Sequence, residues 1–208
     1  MKRFHILIVL LLPFLVNAQE LKELSYIGAL SDGFAPVSKD GKWGFINAEG
    51  VLVVEFRDDL ITNPEVTKTR DLGIASQKYP VMQENRAIIK NSKDGVNYYG
   101  FINENGRIII EPEFLNVSTF KNGFALALKV DEEEIGRNKA LDKRIISYKY
   151  DVVLIDTKGE VVKYLSGPFP VSISREKLRE APPITARFLG DKIIGVRGPD
   201  KLWEIFKI

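Results

Sequence analysis

A chain of 208 residues, 45% of them hydrophobic and 28% charged, has the length and composition of a globular protein that folds around its own core. It contains no cysteine, which excludes disulfides and Cys-His nucleophiles, and its single histidine is His5. The formal net charge is only +2, whereas binding to nucleic acid calls for clustered positive charge.

The first predicted element is a secretory signal peptide over residues 1–18. Lys2 and Arg3 form a basic start, the apolar run Ile6–Val16 follows, and Ala18 completes a pattern of small residues suited to cleavage. The run is too short for a membrane anchor, since a spanning helix needs about 20 apolar residues. We therefore predict cleavage after about Ala18, a secreted or periplasmic protein, and no membrane span in the mature chain.

Removal of this segment changes the composition of the mature chain and excludes further kinds of catalytic and metal site. Without Lys2 and Arg3 the 30 basic residues become 28, which equals the 28 acidic residues. The loss of His5 leaves neither histidine nor cysteine, so Ser-His-Asp triads and zinc sites built from His or Cys are excluded. General acid–base chemistry would fall to carboxylates, Lys or Tyr. We predict a protein that is not an enzyme, holds no cofactor or metal, and binds no nucleic acid.

After residue 18 the chain reads as short β-strands separated by tight turns. The clearest stretch is GFAPVSK-DG-KWGFIN-AEG-VLVVEF, which predicts three antiparallel strands joined by two turns. Asp40-Gly41 suits a type I′ hairpin turn, and Gly50 supplies a left-handed residue for the second turn. Alternation places Trp43 and Phe45 on one face and Gly44 on the other, where we expect a neighbouring aromatic side chain to cover the glycine.

This pattern recurs along the chain. The stretch SKDGVNYYGFINENGRIIIEPEF repeats it with Tyr99 in place of the tryptophan, and a third copy has Val152-Val153 in place of the Trp-Gly pair. The C-terminal segment GPDKLWEIFKI restores a tryptophan at Trp203. Such a period indicates a repeat protein whose units cover one another's apolar faces. We predict units at about 33–60, 86–114 and 123–165, and a partial unit at 192–208.

The segments KWGFINAEG and, less closely, YYGFINENG resemble the signature of the WG repeat family, β-hairpin repeats built around a Trp-Gly pair. The resemblance implies a single all-β domain over residues 19–208 of a bacterial, often secreted kind, and it implies no reaction. We expect tandem antiparallel three-stranded β-meander units packed in series, with a small propeller-like closure as the alternative. The repeat-signature residues would then be structural: Trp43, Gly44, Phe45, Tyr99, Gly100, Phe101 and Trp203.

The repeated aromatic residues could instead form a row of stacking platforms for a sugar or a peptide. Aromatic residues repeated in register within alternating strands are more often core, because sheets depend on such pairs. We therefore expect the signature aromatics to be buried. Tyr98 and Trp203 are the expected exceptions, since each breaks the pattern around it.

Three segments interrupt the repeats: the mixed-charge run Asp131–Arg144, Arg57–Gln83 and Ser174–Ile184. The charged run lacks the spaced ligand order of a calcium loop, so we expect a solvated loop. The segment REKLREAPP predicts a short amphipathic helix stopped by Pro182-Pro183. Insertions in repeat proteins often form the binding face. The expected partner surface comprises Tyr98, Asp131, Glu132, Glu133, Arg137 and Arg144.

These patterns predict a non-catalytic secreted or periplasmic β-repeat scaffold that binds a protein or a cell-envelope component through inserted loops. One alternative is a carbohydrate hydrolase, which needs two carboxylates about 5–10 Å apart and could draw on Glu55, Asp58 and Asp59 or on Glu111 and Glu113. The other is a structural envelope protein that self-associates through exposed strand edges.

Overall fold

The computed structural model describes residues 21–62, 73–74, 78–139, 141–174, 176–178 and 180–208. Over these residues the chain consists of β-strands and turns and contains no α-helix. All strand pairs are antiparallel, and strands that follow one another in the chain pair with each other within each sheet. The prediction of an all-β fold of antiparallel units is therefore confirmed. The predicted signal peptide lies outside the described residues.

Three sheets contain the strands. The first has four strands in chain order: β1 (Tyr26–Ile27), β2 (Phe34–Lys39), β3 (Lys42–Asn47) and β4 (Leu52–Arg57). The second has seven: β5 (Met82–Gln83), β6 (Arg86–Lys93), β7 (Val96–Asn103), β8 (Ile108–Val117), β9 (Ala125–Asn138), β10 (Lys143–Ile155) and β11 (Val161–Val171). The third has three: β12 (Ala186–Phe188), β13 (Ile193–Arg197) and β14 (Trp203–Lys207).

The repeat units are strand groups within these sheets. We name them unit 1 (β2–β4), unit 2 (β6–β8), unit 3 (β9–β11) and unit 4 (β13–β14). Units 2 and 3 share one continuous sheet because β8 pairs with β9, for example Val117 with Ala127. The units therefore follow one another in series, and the strands described here form no closed barrel or propeller. The propeller-like alternative is wrong.

Both predicted turns of the first unit form as expected. Asp40 and Gly41 have φ values of 52° and 75°, the left-handed pair that a type I′ hairpin requires, and Gly50 has a φ of 77°. Asp94 and Gly95 repeat the first turn with φ values of 53° and 77°. These residues fix the register of the hairpins, because turn type and loop length decide which residues face each other.

The second turn of each unit is held by the same side-chain contact. Asn47 Oδ1 accepts hydrogen bonds from the amides of Glu49 (3.1 Å) and Val51 (2.9 Å). Asn103 in unit 2 and Asp156 in unit 3 accept bonds from the amides two and four residues later in the same way. Such side-chain acceptors mimic a backbone turn. Unit 3 thus keeps the turn of the repeat although it has lost the Trp-Gly pair.

The glycine of the pair has a different neighbour from the one expected. A Cβ atom on Gly44 would lie 2.6 Å from the carbonyl oxygen of Val54, and one on Gly100 would lie 2.3 Å from the carbonyl oxygen of Ile110. Each glycine faces a register shift, where the backbone of the next strand crosses close above it. The expectation that an aromatic side chain covers Gly44 is wrong, since the neighbouring backbone occupies that space.

Apolar side chains form clusters on both faces of the seven-stranded sheet. One face carries Phe101, Phe114, Phe120 and Val153 among others. The opposite face packs against the third sheet, joining Leu126, Leu154 and Ile194. A third cluster joins Phe45 of β3 to Ile89 and Ile102, which attaches the first sheet to the second. Because each cluster draws residues from more than one unit, neighbouring units bury each other's apolar surface.

Two expectations about local structure are wrong. The charged run from Asp131 to Arg144 is not a loop, because β9 extends to Asn138 and β10 begins at Lys143. The segment REKLREAPP contains no helix in its described residues. Instead, the amides of Lys177 and Leu178 both bond to the carbonyl of Ser174, which makes a single turn.

Candidate functional site

The outer ends of β9 and β10 form a two-stranded extension that we call the charged ribbon, Asp131–Asn138 paired with Lys143–Lys149. The strand β11 stops pairing with β10 at Tyr148, and β8 makes its last pairing with β9 at Lys129. The ribbon therefore extends past its sheet neighbours with an edge on each side that no described strand covers. Unpaired edges of this kind are sites at which another chain can add.

The two faces of the ribbon differ in character. Side chains alternate along a strand, so Asp131, Glu133 and Lys149 share one face. Glu132, Glu134 and Tyr148 share the other, which continues the apolar face that packs on the third sheet. The ribbon thus presents a charged face and a face that carries carboxylates next to apolar groups.

Ion pairs cross the ribbon along its length. Lys149 Nζ lies 2.7 Å from Glu133, Arg144 lies 3.7 Å from Glu134, and Arg137 lies 2.9 Å from Asp142. All these groups are largely exposed, so each pair contributes little to stability. The hydrogen bond from Lys149, together with its charge, lowers the pKa of Glu133. In each of these pairs an acid and a base lie close together, so their charges partly offset one another.

The base of the ribbon contains a partly desolvated acid. Burial raises the pKa of Asp151, the charge of Asp131 raises it further, and Lys129 lowers it. Lys129 itself donates a hydrogen bond to Tyr164 at 3.3 Å, which raises the pKa of its ammonium group. These contacts link the charged face of the ribbon to strand β11.

Exposed apolar side chains mark the outer half of the ribbon. Ile135 is 62% exposed, Leu141 66% and Ile145 45%. Ile135 occupies a bulge, because Glu134 pairs with Ile146 while Gly136 pairs with Ile145. A bulge re-aims the side chains beyond it, and exposed isoleucine or leucine at a strand tip favours contact with another surface.

A cleft of about 520 Å³ lies where the ribbon meets the chain that follows β11. Its ribbon side is formed by Ile135, Ile146 and Tyr148, and its other side includes Ile173 and Lys177. Two of the three predicted insertions, the charged run and the segment after Ser174, therefore meet at one place. The third, Arg57–Gln83, falls partly outside the described residues.

The structure distributes the expected partner-surface residues over this region. Asp131, Glu132, Glu133, Arg137 and Arg144 all lie on the ribbon. Tyr98 is half-buried at the base, where burial raises its pKa and the nearby Tyr148 and Asp94 raise it further. The expected set did not include the cleft residues Ile146, Ile173 and Lys177. Lys177 lies within the predicted insertion Ser174–Ile184, whereas the only sequence signal of Ile146 and Ile173 is an apolar residue near the border of an insertion.

The repeat-signature aromatics occupy several environments. Phe45, Tyr99 and Phe101 are at most 5% exposed, and Trp43 is half-buried against the cluster that includes Phe45. Trp203 is 49% exposed, and the guanidinium of Arg187 stacks 4.5 Å above its ring. The buried aromatics have core positions and are not available as stacking platforms.

The carboxylates considered for a hydrolase lie in two settings. Glu55 and Glu111 lie beside Gly44 and Gly100, where the bulges form, and Asp59 accepts a hydrogen bond of 2.7 Å from Arg57. Glu55 also lines a second cleft of about 460 Å³ together with Asp40 and three lysines. The cleft is therefore mixed in charge.

Groups of three or more metal-ligating side chains do not occur in the part of the chain that the structure describes. In that part, helices with the length and apolarity needed to cross a membrane are also absent.

Comparison with known proteins gives one result. The family described as WG containing repeat matches residues 22–43 and 99–129. No curated protein and no solved structure matched the chain. The first match covers β1, β2 and the start of β3 up to Trp43, and the second begins at Tyr99, the equivalent position in unit 2. Segments of units 1 and 2 thus both match this family, which supports the WG repeat assignment for a β-rich repeat scaffold.

Proposed function

We propose that this protein is a non-catalytic scaffold, secreted or periplasmic, that binds a protein or a cell-envelope component through the charged ribbon and the cleft at its base. One observation carries the proposal. Two segments inserted among the repeats converge on a single cleft beside an uncovered strand edge. A matching partner would offer an extended segment, since an edge binds by backbone hydrogen bonds and the cleft selects side chains.

The polar make-up of the ribbon supports binding to a soluble or surface partner. Its acids and bases neutralise one another in pairs, so long-range attraction to a highly charged polymer is weak. Ile135, Ile145 and Ile146 supply apolar area near the cleft. Apolar contacts inside a polar rim are the usual composition of a protein–protein interface.

A pull-down from an envelope fraction tests this proposal. In the ribbon variant, Glu133–Ser147 is replaced by Asn-Gly, so that the paired residues Glu132 and Tyr148 flank a two-residue turn. A second variant, Ile146→Asp, changes only the cleft. We expect a component that the original chain retains to be lost from both variants. Val51→Asp serves as the matched control, because Val51 is 53% exposed and lies just before β4 of the first sheet.

Two results would contradict the proposal. One is a retained component that binds the ribbon variant as well as the original chain. The other is cleavage of envelope glycans by the folded chain without any retained component, which would favour the carbohydrate hydrolase. Circular dichroism on each variant separates lost binding from lost folding.

A further inference from the structure

Among the strands that the structure describes, β14 has an unpaired edge that its counterparts in the other units do not have. In units 1, 2 and 3 the strand at the Trp-Gly position lies between two neighbours, as β3 lies between β2 and β4. Trp203 gives β14 the same position in unit 4. Within the described residues β14 pairs only with β13.

The backbone groups on this edge can be identified from the turn bonds. The amide of Gly198 bonds to the carbonyl of Leu202 at 2.9 Å, and the amide of Ile208 bonds to the carbonyl of Lys192 at 3.1 Å. Leu202 and Ile208 therefore face β13. In an antiparallel pair the bonding direction alternates, so Trp203, Ile205 and Lys207 direct their N–H and C=O groups outward.

The side chains on the edge are apolar and exposed. Ile205, at the centre of the strand, is 71% exposed, and Trp203 is 49% exposed. Both lie on the outer face of the third sheet, where Trp203 covers Gly195 and carries Arg187 on its ring. Natural proteins usually avoid exposed apolar residues on a strand with an unpaired edge, unless another strand covers that edge.

The residue after Trp203 indicates how an added strand would pair. At this position Gly44 and Gly100 admit the close backbone of a bulged neighbour. Glu204 has a side chain, which leaves no room for that bulge. A strand added to β14 could therefore not approach residue 204 as closely as β4 and β8 approach their glycines, and regular register is the simplest pairing that avoids this contact.

A second copy of β14 fits this edge in antiparallel orientation. With Ile205 opposite Ile205 of the second copy, the outward-facing backbone groups of residues 203, 205 and 207 would meet in hydrogen-bonding register. The carbonyl of Lys207 already accepts a hydrogen bond from Lys163 Nζ, and in this pairing it would accept a second one from the amide of Trp203 of the second copy. Trp203 then lies opposite Lys207 of the second copy, which allows a cation–π contact. Directly opposed side chains in a sheet have Cβ atoms about 4.5–5.5 Å apart.

The inner face of the same pairing is complementary in charge. Glu204 would lie opposite Phe206 of the second copy. Within one chain, Lys163 Nζ is 5.6 Å from the centre of the Phe206 ring and donates a hydrogen bond of 2.8 Å to the carbonyl of Lys207. Glu204 of one copy would therefore meet Lys163 of the other, and the two-fold symmetry makes this contact twice.

We propose that two copies of this chain associate by antiparallel pairing of their β14 strands, with Ile205 on the two-fold axis, to form one six-stranded sheet. The pairing would cover the outer edge of β14 in each copy, and its two-fold symmetry would close this interface at two copies. It would form whether or not the charged ribbon binds a partner.

Sedimentation velocity over a hundredfold range of concentration tests the dimer. We expect the mass to double as the concentration rises, and the Ile205→Lys variant to weaken association by roughly tenfold or more, because it opposes two lysines at the axis. Val51→Lys is the control, since Val51 is also exposed and precedes β4 of the first sheet, whereas β14 belongs to the third. A chain that remains monomeric, or an Ile205→Lys variant that associates like the original, would overturn the proposal.

A charge exchange makes the test specific for this register. Glu204→Lys should weaken the dimer by opposing Lys163, and the double variant Glu204→Lys with Lys163→Glu should regain association. The reference for recovery is the two single variants, because Lys163→Glu by itself removes the hydrogen bond to Lys207. A double variant that is folded by circular dichroism but associates no better than either single variant would show that Glu204 and Lys163 do not meet across the interface, and the proposed pairing would be wrong.

Discussion

At the residue scale, the glycine of the Trp-Gly pair has a steric role. The position follows a buried or half-buried aromatic and lies directly under the backbone of the next strand. Neither Gly44 nor Gly100 has a positive φ, so their need for glycine comes from space and not from backbone conformation. Unit 3 has Val153 at this point, and its register shifts are spread over several residues of the β10–β11 pair.

The substitution Gly100→Ala tests this steric role. Its Cβ would meet the carbonyl oxygen of Ile110 at 2.3 Å and the backbone nitrogen of Pro112 at 2.6 Å. Backbone atoms cannot move aside as a flexible side chain can, so we expect a loss of about 2–3 kcal/mol in the free energy of unfolding. Urea denaturation followed by circular dichroism measures the change.

Gly136→Ala is the matched control for that substitution. Gly136 is also a strand glycine, its φ is not positive, and a Cβ there would meet no atom within 4 Å. We expect a change of no more than about 0.5 kcal/mol. Equal losses in both variants would mean that the bulge backbone is not what requires glycine at position 100.

Residue patterns predicted the turns more accurately than they predicted the contacts between strands. Asp-Gly and Asn-x-x-Gly act through a few neighbouring residues, so the sequence alone indicates Asp40-Gly41 and Gly50 as turn residues. The neighbour of Gly44 could not be predicted in this way, because it depends on how many residues the next strand inserts opposite the glycine. Val54 and Ile110 contact these glycines through their carbonyl oxygens. Because every residue type has this atom, the side chains at positions 54 and 110 do not reveal the contact.

At the element scale, the charged ribbon shows why its amino-acid composition led to the wrong prediction of a loop. The run of charged residues is typical of a solvated loop, and the side chains are indeed mostly exposed. It forms strands because each residue of β9 except the bulged Ile135 has a partner on β10, and because β10 is already placed by its buried inner half, which includes Val152 and Leu154. Pairing to an anchored strand overrides the weak preference of the individual residues.

The ion pair between Lys149 and Glu133 gives the ribbon a measurable property. Because the hydrogen bond and charge of Lys149 lower the pKa of Glu133, we expect Lys149→Met to raise that pKa toward its ordinary value. A lowered carboxyl pKa contributes stability above the pKa of the unfolded chain, and that contribution disappears as the pH falls through the lower folded pKa. Carboxyl NMR titration of Glu133 in both proteins measures the change.

Lys143→Met supplies the control for this titration. It removes a lysine from the same strand, at the position that pairs with Asn138 and not beside Glu133. The pKa of Glu133 should therefore stay where it is in the original chain. A pKa that rises equally in both variants would attribute the effect to the overall charge of the ribbon and not to the contact with Lys149.

At the scale of the whole molecule, equivalent turns of successive units touch one another. The carboxylate of Glu84, before β6, accepts hydrogen bonds from the amides of Asn122 and Gly123, before β9. The side chain of Asn122 in turn donates to Asp191, before β13, at 3.0 Å. The turns that precede the first strands of units 2, 3 and 4 are thus joined by hydrogen bonds, which connect the units in addition to their shared core.

The serial arrangement itself could be predicted from the repeat, but the joining of units 2 and 3 could not. A repeated strand pattern indicates that units stack, because each has an apolar face to bury. Whether neighbouring units share a sheet depends on a few long-range pairs, here Phe114 with Lys129 and Val117 with Ala127. The turn contacts are equally hidden, since Glu84 and Asn122 are 38 residues apart.

Substitution of Glu84 by alanine tests whether the turn contacts couple the units. The amides of Asn122 and Gly123 would lose their acceptor, at a cost of about 1–2 kcal/mol in the free energy of unfolding. Their hydrogen exchange should accelerate in the variant, because the bonds that protect them are removed. Glu104→Ala is the control, since its side chain accepts only an exposed bond of 3.3 Å from Asn105. If the two amides exchange at unchanged rates in Glu84→Ala, units 2 and 3 are held by their shared sheet and core alone.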